Sequence, residues 1–86
     1  MNGRELYNLG AACRYYRTYI LCVPQTEVAN ETGYSVFTIS SFENGRNNNA
    51  MILSWYIKHG LTQKIIDGIN DGGMENESSL FKDVDR

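Results

Sequence analysis

The stretch "QTEVANETGYSVFTISSFENGR", residues 25–46, decides how the rest of the chain is interpreted. Its first part predicts a short helix over residues 25–31, with Val28 and the small Ala29 on the inward side. Thr32 and Gly33 end that helix, because glycine readily adopts the left-handed conformation that a tight turn needs.

The second part of the stretch predicts another helix, which begins immediately after the turn. Ser35 is a good N-cap for a helix that runs through Phe42, and Ile39 and Phe42 form its inward face. Val36 and Phe37 lie in the first turn of this helix. Two neighbouring apolar side chains at this place raise the question of what they contact.

Before this stretch, apolar residues recur at three- and four-residue steps, which is typical of an amphipathic helix. They predict a first helix over residues 4–19, with an inward stripe of Leu6, Leu9, Cys13, Tyr16 and Ile20. "ILCVP" then connects this helix to the next, because Pro24 disfavours helical geometry at the residue before it and suits a helix start.

After the stretch, "ENGRNNN" is a polar loop, since Asn-Gly is a strong turn signal. Two more helices follow, over residues 50–59 and 63–70, the first ending at Gly60 and the second capped by Thr62. Their apolar residues are Ile52, Leu53, Tyr56 and Ile57 in the first, and Ile65, Ile66 and Ile69 in the second. The predicted core contains Leu9, Cys13, Val28, Ala29, Ile39, Phe42, Leu53 and Ile57.

These patterns predict an all-α fold, a compact bundle of about five helices in one domain over residues 1–70. An 86-residue chain has room for one domain with one modest core. Residues 71–86 are acidic and carry few apolar side chains, so we expect a tail that is disordered or folds only against a partner.

The charges are distributed unevenly along the chain. The net charge is −2, yet the residues through Gly60 contain five basic and four acidic side chains, while those from Leu61 onward contain three and six. The acidity therefore belongs to the C-terminal region. The nearly neutral charge of the folded part is compatible with nucleic-acid binding but does not indicate it.

Several classes of protein are disfavoured by what the sequence lacks. No apolar run approaches the ~20 residues of a membrane span, and the N-terminus lacks a secretory pattern, so we expect a cytoplasmic protein with reduced thiols. Cys13 and Cys22 match no metal-site spacing, and His59 stands alone. No nucleophile–base pair, phosphate-binding loop or catalytic carboxylate pair is visible, so we expect neither an enzyme nor a cofactor.

Together, the pieces resemble the Cro/C1 or XRE-type helix-turn-helix family of phage repressors and bacterial regulators. "LGAACRYYR" is similar to that family's first helix, and "ISSFENGR" to the end of its recognition helix and the turn that follows. The small Ala29 and Gly33, four residues later, match the two helices of the unit and their turn. The resemblance covers Leu9 to Leu61 and implies a lambda-repressor-like domain that binds double-stranded DNA.

The resemblance also implies roles for individual residues. Gln25 falls where the family contacts a phosphate. The positions that face major-groove base edges are Ser35, Val36, Phe37 and Ser41, with Thr38 as a further short donor, and the positions that grip the backbone beyond the helix are Asn44, Arg46 and Asn47. Arg17 and Glu43 match a structural salt bridge between the first and third helices. The chain has one residue more between Arg17 and Gln25 than the usual pattern.

Three interpretations of Val36 and Phe37 stay open. They can pack against thymine methyl groups, Val36 can pack into the domain, or the pair can form an anchor for a protein partner. The first hypothesis is therefore a phage or mobile-element transcriptional regulator, a repressor or Cro-like protein, that binds a short operator as a homodimer. Its dimer surface would be the fifth helix, although the same isoleucines could close the monomer core. The second hypothesis is a protein-binding module on the same fold, such as an antirepressor or an inhibitor of a host protein.

Overall fold

The computed structural model describes residues 2–73, which form five α-helices and no strand. Two of the helices continue as π-helical turns. The elements are α1 (Gly3–Tyr15) with its π-helical continuation Tyr16–Leu21, α2 (Gln25–Thr32), α3 (Val36–Glu43), α4 (Ala50–Lys58), and α5 (Gln63–Gly68) with its π-helical continuation Ile69–Gly73. The tail predicted over residues 71–86 lies almost entirely outside the described residues.

A capping box begins α1. The Asn2 side chain accepts a hydrogen bond from the Glu5 N–H at 2.9 Å, and the Glu5 carboxylate accepts one from the Asn2 N–H at 3.2 Å. These two bonds satisfy N–H groups that have no partner within the helix. The acidic side chain also lies at the positive end of the helix dipole, where it is favourable.

The helix that begins at Gly3 ends later than the sequence predicts. Its π-helical turns run to Leu21, and Cys22 then adopts a left-handed conformation with φ 58°. A π-helical turn closes i→i+5 hydrogen bonds and so contains one residue more than an α-helical turn. The Arg17 and Gln25 side chains, one on each side of this helix end, both reach Glu43 on α3.

The core lies where α3 packs against both α1 and α2, with α4 against α2 and α5 against α1. The rings of Phe42 on α3 and Tyr56 on α4 are stacked with centroids 6.1 Å apart. The neighbouring Trp55 of α4 contacts α2, because its indole N–H donates to the Glu31 carboxylate at 2.6 Å. The buried apolar residues are Ala12, Cys13, Tyr15, Tyr16, Val28, Ala29, Ile39, Phe42, Ile52, Trp55, Tyr56, Leu61, Ile66 and Ile69.

The later helices also begin at side-chain caps. The Asn49 side chain accepts from the N–H groups of Met51 and Ile52 at the start of α4. The predicted cap of α5 is confirmed, because the Thr62 hydroxyl accepts from the Ile65 N–H at 3.2 Å. The fold class predicted from the sequence, a small all-α bundle of five helices, is therefore confirmed for the described residues.

Most of the predicted core is confirmed, but Ile57 was assigned wrongly. Leu9 and Leu53 are partly buried against the core, while Ile57 is 56% exposed. The inward residues of α4 are Ile52, Trp55 and Tyr56, at helical steps of three and four. Ile57 follows Tyr56 directly and is rotated by about 100° from it, so it faces away from the core.

Ile20 was also assigned wrongly to the inward stripe of the first helix. It is 58% exposed, although Tyr16, four residues earlier, is buried. The prediction assumed α-helical periodicity, in which residues four apart share a face. Thr18 and Tyr19 are exposed as well, so most of the π-helical segment after Arg17 lies at the surface.

The isoleucines of the fifth helix close the monomer core. Ile66 and Ile69 are buried, and Ile65 is packed against the same cluster. These residues therefore help close the core of the single chain, which is the alternative that the sequence left open, and dimerisation through the fifth helix stays a prediction. Among the described residues, no helix has both the length and the apolar character needed to cross a membrane.

A close approach between α1 and α3 depends on Gly10. A Cβ atom at this position would lie 2.5 Å from the Phe42 carbonyl oxygen and 2.7 Å from the Glu43 carbonyl oxygen. We predict that Gly10→Ala lowers the free energy of unfolding by roughly 1–3 kcal/mol, because the backbones of both helices must move apart. Urea unfolding followed by circular dichroism measures this change.

Gly68→Ala is the matched control, because a Cβ atom at Gly68 meets nothing within 4 Å. Alanine is the better helix former, so this variant should be neutral or gain up to about 1 kcal/mol. If both variants unfold at the urea concentration of the parent, α1 and α3 do not approach as closely as described.

Candidate functional site

A three-residue turn joins α2 to α3. Gly33 ends α2 in the left-handed conformation, with φ 83°, and its N–H donates to the Ala29 carbonyl at 2.9 Å. The predicted N-cap of α3 is confirmed, because the Ser35 hydroxyl accepts from the Thr38 N–H at 3.1 Å. The helix, turn and helix therefore follow one another as the sequence predicts.

The two faces of α3 differ sharply in burial. Ile39, Phe42 and Glu43 are buried against the domain. On the outer side, Phe37 is 76% exposed and Val36 is 39% exposed, so Val36 does not pack into the core. The outer face of α3 is thus available to a partner, and it presents two apolar side chains in its first turn.

A buried ion pair holds the inner side of α3. The Arg17 guanidinium donates from Nε to Glu43 Oε2 at 2.7 Å and from its second terminal nitrogen to Oε1 at 3.0 Å. This is the two-point geometry that makes an Arg–carboxylate pair strong and specific in direction. A third donor of the same guanidinium reaches the Val23 carbonyl at 2.9 Å. Arg17 and Glu43 therefore form the ion pair that the resemblance implies.

Two more helices join the same carboxylate. The Gln25 amide at the start of α2 donates to Glu43 Oε1 at 3.0 Å. The Tyr56 hydroxyl of α4 donates to Glu43 Oε2. The sequence predicted a phosphate contact for Gln25 and a place in the apolar core for Tyr56. It did not predict that both side chains donate to the Glu43 carboxylate. Any phosphate contact by Gln25 would have to use its remaining amide hydrogen or its backbone N–H.

Burial and the Glu43 carboxylate set the protonation of the groups around this network. Burial raises the pKa of the Tyr56 hydroxyl far above its usual range, and the Glu43 charge raises it further. Burial acts to lower the pKa of Arg17, but its hydrogen bonds and attraction to Glu43 outweigh that effect and raise it. Burial, and then Glu43, also raises the pKa of the Cys13 thiol. Arg17 therefore stays charged while Tyr56 and Cys13 stay protonated around neutral pH.

The turn after α3 folds back onto the helix. The Arg46 N–H donates to the Ser41 carbonyl at 2.9 Å, and Gly45 has φ 76°. A Cβ atom at Gly45 would lie 2.6 Å from the Tyr7 Cα atom, so only glycine fits between this turn and α1. This packing fixes where the turn leaves α3, and it leaves the Arg46 side chain exposed beside the C-terminal end of the helix.

Most of the predicted site residues lie on α3, at its N-cap or in the turn after it. Gln25 lies on α2 and contacts α3 through its hydrogen bond to Glu43. Among them, the exposed ones are Ser35, Val36, Phe37, Asn44 and Arg46, and the partly buried ones are Gln25, Thr38, Ser41 and Asn47. The sequence missed Ser40, which is partly buried on α3 and accepts from the Asn44 amide at 3.4 Å. Its spacing of three from Phe37 and four from Asn44 was the available signal.

A second surface with apolar character lies away from α3. An open cavity of about 470 Å³ is lined by Leu9, Leu53, Ile57, Leu61, Thr62, Gln63 and Ile66, contributed by α1, α4 and α5 and the segment between the last two. Ile57 is the most exposed apolar side chain of this lining. We call this surface the α4–α5 groove.

Comparison with known proteins identifies no relative. No protein-family model matches the chain, and neither a curated protein nor a solved structure matches it. Residues 2–73 also gather no cluster of three His, Cys, Asp or Glu side chains that could hold a metal ion. The family resemblance, and the expectation that the chain needs no cofactor, stay predictions.

The Glu43 network gives a direct stability test. Glu43→Gln leaves the Arg17 charge buried without a counter-charge, so we predict a loss of about 3–5 kcal/mol in the free energy of unfolding. Tyr56→Phe removes one hydrogen bond to the carboxylate and should cost about 1–3 kcal/mol. Tyr7→Phe is the matched control, since Tyr7 is 60% exposed and should change little. A Glu43→Gln protein as stable as the parent would contradict the network.

Proposed function

We propose that the chain is a DNA-binding transcriptional regulator of the Cro/C1 type, which inserts α3 into the major groove of a short operator. The observation that carries the proposal is the division of α3. Its inner face is fixed by Ile39, Phe42 and the Glu43 ion pair, while its outer face is exposed. A recognition helix needs both properties, because base contacts require a protruding face that is held rigidly.

The turn after α3 supports the same proposal. Arg46 is exposed at the end of the helix, beside the exposed Asn44. In a helix seated in the major groove, residues at this position lie near the phosphate backbone, where a cation and a polar amide are suitable partners. The role proposed for this turn is to position α3 on the duplex without reading its sequence.

The charges of the domain determine how strongly it is expected to bind DNA non-specifically. Residues 2–73 contain six basic and six acidic side chains, and the buried Arg17–Glu43 pair neutralises itself. Few cations therefore remain to displace counterions from DNA, so non-specific binding should be weak and its salt dependence shallow. Specific binding would then depend strongly on the contacts that α3 makes with bases.

We further propose that two copies bind a palindromic operator. One α3 can read only a few base pairs, and two half-sites about one helical turn apart give useful specificity. Hydroxyl-radical footprinting of the bound operator should show two symmetric protected regions at that spacing. A single, asymmetric protected region at saturating protein would contradict the dimer and leave the DNA contact itself intact.

A protein-binding role is the second candidate, and the exposure of Phe37 favours it. An aromatic side chain that is 76% exposed is the kind of anchor that a partner protein buries. The scarcity of cations around α3 points the same way. In that case the chain would act as an antirepressor or as an inhibitor of another protein through the same face.

Two substitutions separate these candidates. If α3 binds DNA, Arg46→Ala should weaken binding to all sequences alike and flatten the salt dependence by about one counterion. Phe37→Ala should weaken the specific site by roughly 1–3 kcal/mol and leave non-specific binding nearly unchanged. Fluorescence anisotropy with labelled duplexes at several salt concentrations measures both effects.

Lys64→Ala serves as the matched control, because Lys64 is exposed on α5, which packs against α1. It should bind DNA like the parent. A protein-binding role predicts the reverse pattern, in which Phe37→Ala abolishes a salt-insensitive protein complex and Arg46→Ala matters little. If Arg46→Ala and Phe37→Ala both bind DNA like the parent, α3 is not the recognition helix.

A further inference from the structure

The polar side chains at the start of α3 are bonded within the protein. The Ser35 hydroxyl accepts from the Thr38 N–H at 3.1 Å, and the Ser35 and Thr38 hydroxyl oxygens are 3.0 Å apart. One of the two hydroxyl hydrogens therefore lies between these oxygens. Turning Ser35 toward a base would remove the N-cap of α3, which stabilises the helix. Two of the three short donors that the sequence assigned to base contacts, Ser35 and Thr38, thus serve the helix first, and the third, Ser41, is partly buried near the other end of α3.

The amides at the other end of α3 are also engaged. The Asn47 amide donates to the Thr38 carbonyl at 3.5 Å, and the Asn44 amide donates to the Ser40 hydroxyl at 3.4 Å. Reading adenine with an Asn side chain requires its carbonyl and its amide together at one base edge. In the described conformation, each of these side chains bonds α3 or the turn beside it instead.

The groups that remain free to meet a base edge in the first turn of α3 are apolar. Val36 and Phe37 are adjacent, and both are exposed. In the major groove, the apolar feature of a base edge is the C5-methyl group of thymine. Burying that methyl group against Val36 and Phe37 is favourable, whereas cytosine carries only a hydrogen at C5 and offers no such contact.

We propose that α3 selects its operator through the C5-methyl groups of pyrimidines, with Phe37 and Val36 as the specificity-determining residues. This inference rests on the proposed function, since it names what the DNA-binding face recognises. Its ligand is a duplex with neighbouring thymines in each half-site. A 5-methylcytosine presents the same methyl group and should substitute in part for thymine, while unmethylated cytosine should not.

The test begins with selection of binding sites from a random duplex library by the full chain. Each thymine of the selected site is then replaced by deoxyuridine, which removes the methyl group and leaves base pairing unchanged. We expect the affinity to fall about fourfold for each contacted methyl group, the factor that corresponds to one buried methylene-sized group. Replacing a contacted T·A pair by 5-methylcytosine·G should retain more affinity than replacing it by C·G.

Protein variants test whether the loss of affinity caused by deoxyuridine depends on α3. In Phe37→Ala, deoxyuridine should cause little further loss at the thymine that Phe37 contacts. Ile57→Ala, which removes an exposed apolar side chain of the α4–α5 groove, should keep the full deoxyuridine effect. A selected site that binds equally well with deoxyuridine throughout would overturn this inference and leave the proposed function standing. Failure to bind or select any DNA would overturn both, and an undiminished deoxyuridine effect in Phe37→Ala would remove Phe37 from the readout.

Discussion

One carboxylate, that of Glu43, is the acceptor on which the arrangement of four helical elements depends. It receives Arg17 from the continuation of α1, Gln25 from α2 and Tyr56 from α4, and it lies on α3 itself. A buried charge of this kind is tolerated only when its hydrogen bonds are made, so the network restricts the relative positions of these helices. Apolar packing alone would stabilise the bundle without fixing the orientation of α3 so closely.

The consequence of this constraint is a helix with one fixed face and one free face. Gly10 lets the backbones of α1 and α3 approach, and Gly45 lets the following turn pack against α1. These contacts leave Val36, Phe37 and Arg46 exposed on one side of the domain. The network thus connects residues far apart in sequence to the geometry of the surface for which we propose a DNA partner.

Local signals in the sequence were sufficient for the helices, the caps at Ser35 and Thr62 and the turn at Gly33, because each depends on neighbouring residues. Features that depend on tertiary packing were harder to predict. The π-helical turns have no signature in a three- and four-residue pattern. Ile20 lies in the part of that segment that is at the surface, and Ile57 belongs to an apolar run that α4 only partly buries. The shared acceptor of Gln25 and Tyr56 could not be inferred, since hydrogen-bond partners 18 and 13 residues away from Glu43 depend on the fold. The hydrogen bond between Ser35 and Thr38 was not predictable either. The sequence predicted that these hydroxyl groups contact bases, whereas in the structure they stabilise the start of α3.

We propose the outer face of α3, and not the α4–α5 groove, as the surface that binds DNA. Two-dimensional ¹H–¹⁵N NMR of the full chain, titrated with a duplex selected from a random library, tests it most directly. The backbone amide signals of residues 35–47 should shift on binding, while those of Leu53 and Ile57 should stay in place. Shifts concentrated at Leu53 and Ile57, or an unchanged spectrum at low salt, would contradict it.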